Sequence, residues 1–117
     1  MTQTISFVVH LPGNPERREE LEAKLVEVLD RMAEDSDFVN TWLHRSVDDP
    51  DTLVLYETWA CSRQRFEQHH LKQPYRRAYE AALPELLARE RTIEFLDPIR
   101  AYWSFCTPCS VHFLRKA

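Results

Sequence analysis

Apolar and polar residues alternate over Ile5-Ser6-Phe7-Val8-Val9-His10-Leu11, placing Ile5, Phe7, Val9 and Leu11 on one face. The β-branched and aromatic content makes this segment a strand. Pro12-Gly13-Asn14-Pro15 ends it, with Asn14 suited to cap a helix and Pro15 to its first position. The period then lengthens. Leu21, Leu25, Val28, Leu29 and Met32 form a one-sided helical stripe, with Glu20–Lys24 and Glu27–Arg31 as i,i+4 pairs on the wet side. Alternation returns from Phe38 to Ser46, setting Phe38, Asn40, Trp42 and His44 against Val39, Thr41 and Leu43. After the Asp48-Asp49-Pro50-Asp51 turn it resumes from Thr52 to Ala60, with Leu53, Leu55, Glu57 and Trp59 opposing Val54, Tyr56 and Thr58. Ser62 is placed to cap a short helix carrying Phe66, His69, His70 and Leu71. Pro74 opens a further helical piece with a stripe of Tyr75, Ala78, Tyr79, Ala82 and Leu83, which Pro84 is expected to kink or end. Arg91 to Leu96 alternates as a fourth strand, and Ile99 to Trp103 is expected to resume as extended chain.

The order strand, helix, strand, strand, helix, strand predicts an α+β domain of ferredoxin-like βαββαβ type. Its simplest form is a four-stranded antiparallel sheet with the helices on one face. Both faces of the central hairpin are largely apolar, so a second subunit is expected to cover the face that the helices leave bare. Residues 1–103 form this domain, and residues 104–117 are read as a C-terminal extension.

At 117 residues, 44% hydrophobic and 29% charged, the chain is one globular domain. A net charge of −4 argues against a nucleic-acid partner, which calls for clustered Lys and Arg. No apolar run approaches the roughly 20 residues of a membrane span, and Met1-Thr2-Gln3-Thr4 lacks a secretory pattern. Cytoplasmic residence is the expectation. The single glycine, Gly13, removes every Gly-rich phosphate cradle from consideration. Three cysteines make a disulfide framework unexpected. Cys106-Thr107-Pro108-Cys109 with His112, and Cys61 as a fourth donor, has zinc or redox readings; ordinary packing of the tail is preferred, and no metal is assigned.

One stretch resembles a known family. Leu55-Tyr56-Glu57-Thr58-Trp59, then Phe66-Glu67-Gln68-His69-His70-Leu71-Lys72-Gln73-Pro74-Tyr75 and Ala78-Tyr79, is similar to the signature of the antibiotic biosynthesis monooxygenases. The resemblance implies a dimeric α+β barrel in which two sheets pack face to face and each subunit keeps a pocket between sheet and helices. It also implies a cofactor-independent monooxygenase, using dioxygen and no metal, flavin or haem on quinols, anthrones or similar phenols. His70 matches the family's helix histidine and Trp59 its strand-end tryptophan, while Tyr75 stands where many relatives have a second histidine. The haem-degrading branch is excluded by the missing Asn in the first strand, by His69 in place of its Trp, and by Ala78 or Tyr79 in place of its His.

His70 is the candidate acid/base, since imidazole titrates near neutrality; its alternative is a histidine held for structure. Trp59, Asn40, Trp42, His44, Tyr56 and Tyr75 are the candidate substrate contacts, and core or dimer packing is the alternative for the aromatic ones. Glu57, on a face with Leu55 and Trp59, is expected to sit in a structural ion pair. A non-catalytic dimeric module that binds a small aromatic molecule is the alternative function.

Overall fold

The computed structural model describes residues 3–102. The C-terminal extension, with its Cys106, Cys109 and His112, lies outside the described residues. Four strands, β1 (Ile5–Pro12), β2 (Phe38–Arg45), β3 (Thr52–Trp59) and β4 (Thr92–Leu96), form one antiparallel sheet in the order β2-β3-β1-β4. Among the described residues three helices, α1 (Arg18–Met32), α2 (Arg63–Gln68) and α3 (Arg77–Leu86), complete the α+β ferredoxin-like fold expected from the element order. Short 3-10 turns at Pro15–Arg17, His70–Lys72 and Pro74–Arg76 break what the sequence pattern had suggested were longer helical runs. Among the described residues no helix is long and apolar enough to cross a membrane.

Local chemistry explains the boundaries. Asn14 Oδ1 accepts from the Glu16 amide at 3.0 Å, and Ser62 Oγ accepts from the Arg65 amide at 3.0 Å, so both predicted caps hold. Glu20 does not reach forward to Lys24. It turns back to Arg17, 2.7 Å away. Pro84 neither ends nor interrupts α3: it sits in the last turn, and the helix runs two residues further before Leu87 closes it on the Leu83 carbonyl. Residues 97–102 pair in no strand, and Trp103, the end of the expected extended segment, lies outside the described residues.

The core lies between sheet and helices. Phe7, Val9 and Leu11 of β1 meet Leu53, Leu55 and Trp59 of β3, under Leu21, Leu25, Val28 and Met32 of α1, Phe66 of α2 and Leu83 of α3. One correction concerns β2. Its register against β3 shifts between Phe38 and Asn40, a bulge at Val39. Phe38 therefore pairs with Trp59 on the helix side, while Asn40, Trp42 and His44 pair with Thr58, Tyr56 and Val54 on the face opposite the helices. The extra residue is why Phe38 parts company with the three residues that strict alternation had grouped with it.

Gly13 marks a close approach. Its amide donates to the Asp51 carbonyl at 2.9 Å, and a Cβ there would lie 2.5 Å from that same oxygen. Gly13→Ala is expected to cost about 2 kcal/mol, as overpacking against backbone does, measured as a lowered urea midpoint with an unchanged slope.

Candidate active site

Between the sheet and all three helices lies a chamber of about 230 Å³. Its floor is Phe7, Val9, Leu55, Glu57, Ile93 and Phe95, and its roof includes Leu25, Val28, Leu29, Met32, Phe66 and Leu71. Arg63, Arg76, Tyr79 and Arg91 bring polar groups to the walls. A groove of about 330 Å³ between α1 and α3 is larger, but it is lined by Arg17, Glu20, Lys24, Glu27 and Glu85, a charged seam with an Arg17–Glu85 pair across it at 3.5 Å.

Glu57 is the chemical centre of the chamber. Strand alternation turns it inward between Leu55 and Trp59, where it is only 4% exposed. Burial pushes its pKa from the usual carboxylate range up to about 7. Two weaker influences oppose this: Trp59 Nε1, which donates to Glu57 Oε1 at 3.0 Å, and the positive field of Arg76. The expected structural ion pair is therefore replaced by a neutral indole donor, with the guanidinium acting only at longer range. Arg76 is held by Glu80 at 3.1 Å, and its Nε is buried without a hydrogen-bond partner. Arg91 reaches the same Glu80 at 2.6 Å. Burial also raises the pKa of Tyr79.

The sequence-predicted residues fall into three places. Trp59 lies fully buried in the core, edge-on to Phe38 and Phe66, and touches the chemistry through its bond to Glu57. Asn40, Trp42, His44 and Tyr56 lie on the face opposite the helices, so the sheet itself separates them from the chamber. There the rings of Trp42 and His44 stack at 5.9 Å, nearly parallel. Tyr75 packs against the core from outside the chamber's lining, with the Arg31 guanidinium 5.3 Å above its ring. Its burial raises the phenol pKa, and its hydroxyl has no hydrogen-bond partner.

His70 also stands away from the chamber lining. It is 1% exposed, with Nε2 2.8 Å from Asp37 Oδ2 and Nδ1 3.3 Å from Asp35 Oδ2. Asp37 in turn accepts from Arg65 Nε at 2.7 Å, and these two partners, Arg65 first, hold its carboxyl below the usual range. The histidine that matched the family signature is thus wedged between carboxylates and a tryptophan ring 4.5 Å away. Arg76, Arg91 and Tyr79 were not singled out from sequence as site residues; the available signal was a cationic residue beside the apolar stripe of α3, which is common on solvated helices.

A ferredoxin-like sheet with a chamber under its helices and a buried carboxylate at its floor defines a small α+β domain with an enclosed polar site. Residues 4–86 match the antibiotic biosynthesis monooxygenase family, and the chain belongs to it. Solved structures agree in fold. The Rv0793 protein of Mycobacterium tuberculosis superposes with a TM-score of 0.75 at 24% identity, over 84% of this chain and 97% of that one. A candidate antibiotic biosynthesis monooxygenase of Caulobacter crescentus gives 0.76 at 23%, over 85% and 92%. One of Nitrosomonas europaea gives 0.76 at 14%, over 85% and 93%. No curated protein matches the chain.

Proposed function

We propose that this chain is a cofactor-independent cytoplasmic monooxygenase that holds a compact phenolic or anthrone-like molecule in the chamber. Glu57 takes the acidic proton of that molecule. The observation that carries the reading is the buried carboxylate with a pKa of about 7 at the chamber floor. A base poised there is half available at neutral pH and still strong enough to accept a phenolic or activated C–H proton. Arg76, with its unpartnered Nε, supplies positive charge for the anion that results. That electron-rich anion reduces dioxygen; an activated CH2 becomes a carbonyl, one oxygen atom enters the product and the other leaves as water. At about 230 Å³ the chamber falls below the usual range for drug-sized ligands, which favours one to three fused rings over anything larger. The family, and the names carried by the Caulobacter and Nitrosomonas neighbours, support oxygen chemistry.

Oxygen uptake by the purified protein with hydroquinones, naphthoquinols and anthrones tests this directly. Saturable uptake with one oxygen atom recovered in product, from labelled dioxygen, is the expected result. Saturable quenching of tryptophan fluorescence by the same compounds with no uptake would leave a binding module instead.

The same reading includes a homodimer joined through the faces of two sheets that lie opposite the helices. Tyr56 and Leu96 are each more than a third exposed on that face, on β3 and β4. Tyr56→Glu would set a charge at the middle of that interface. The expected cost is about 2 kcal/mol or more, a roughly 30-fold weaker dimer, read by sedimentation across a concentration series.

A further inference from the structure

A second group of chemically capable side chains gathers where the loop after α1 meets the end of α2, away from the chamber. Asp35, His69 and His70 each bring a donor atom to within 4.8 Å of the others. His70 Nδ1 is buried and has no hydrogen-bond partner, although Asp35 Oδ2 is 3.3 Å away. That separation is about the edge of a tetrahedron with metal–ligand bonds near 2.0–2.1 Å. The other oxygen of Asp35 already accepts from the Asp37 amide at 2.8 Å, which fixes the carboxylate and leaves Oδ2 directed at the ring. Behind the ring, Nε2 lies 2.8 Å from Asp37 Oδ2. A carboxylate on the far nitrogen of a histidine is the usual support of a metal-binding imidazole, fixing its tautomer and raising its basicity.

We propose that Asp35, His69 and His70 bind a divalent transition-metal ion of the zinc class, with a fourth position open to water. Two imidazoles and one carboxylate are a borderline donor set suited to Zn²⁺. The local charge suits it too, because Arg65 offsets Asp37 and leaves Asp35 for the ion. The competing set of Asp37, Cys61 and His70 is also close enough. It is less apt, since Asp37 Oδ2 is shared already between Arg65 and His70, and Cys61 is buried. An ion held by Asp35 and His69 would tie the end of α1 to the end of α2, the two elements that carry the roof of the chamber.

The test is titration of the full chain with Co²⁺ and Zn²⁺, followed by visible absorption and thermal melting. The Cys106→Ser/Cys109→Ser variant is run in parallel to remove the tail thiols. The expected result in both proteins is one equivalent of Co²⁺ bound with tetrahedral visible bands and no thiolate charge-transfer band, and a melting temperature raised by Zn²⁺. Asp35→Asn keeps the acceptor for the Asp37 amide, and His69→Ala alters an exposed side chain, so both should fold. Each should weaken binding by at least about tenfold. No stoichiometric binding, binding unchanged in these two variants, binding lost with the tail thiols, or a thiolate band removed by Cys61→Ser would each overturn the assignment.

Discussion

Glu57→Gln is expected to lower turnover by roughly 100- to 10,000-fold, the range for loss of a general base. Its effect on KM should be small, because glutamine keeps the shape and the acceptor for Trp59 Nε1. In the unsubstituted protein, activity should rise with pH through about 7 as the carboxylate loses its proton. Stability should move the other way. The folded-state pKa is raised above the unfolded one, so the native state holds an extra proton between about 4.5 and about 7. Stability therefore falls across that window and stays lower above it, by about 3 kcal/mol at 1.36 kcal/mol per unit. In the Glu57→Gln variant that part of the slope should vanish. Urea unfolding at pH 5 and pH 8, run for both proteins beside the oxygen-uptake profile, checks the two effects together. Equal activity in the two proteins would remove Glu57 from the chemistry.

The second large effect belongs to His70→Ala. Removing the ring opens a void against Trp59, 4.5 Å from it by centroid, and strips a shared partner from Asp35 and Asp37. The cavity and the loss of the hydrogen bond to Asp37 together are expected to lower the unfolding free energy by about 3–5 kcal/mol. For a domain of this size that is a large share of the total. Chemical denaturation at neutral pH measures it. A change below about 1 kcal/mol would mean that the ring is not held by this cluster.

The fold was legible in the sequence because the patterns that define it are local. Alternation over Ile5–Leu11 and the stripe from Leu21 to Met32 each depend on a period that a few residues reveal. The site was less legible, for two physical reasons. Alternation tells which residues share a face, but a bulge resets it without any compositional sign, and Val39 does this for Asn40, Trp42 and His44. Resemblance pointed to His70 as an acid/base and to Trp59 as a substrate contact, but it could not give their surroundings. The structure gives His70 a carboxylate on either side and Trp59 a bond to Glu57, both of them long-range or next-but-one contacts that no period encodes. Glu57 itself was visible as a charge on an apolar face. Only its solvation, set by three helices at once, decides between an ion pair and a poised base.

The short fourth strand and the bulged second one bear on how copies of this chain can meet. Among the described residues, β2 and β4 are the two margins of the sheet, each bonded to one neighbour only. A margin of unpaired amides and carbonyls invites the same margin of another molecule, and repetition of that pairing builds fibrils. Here one margin is five residues long and the other is interrupted at Val39. Neither offers the long flat template such growth requires, so lateral polymerisation is discouraged by backbone geometry alone, whatever the side chains on the broad surfaces do.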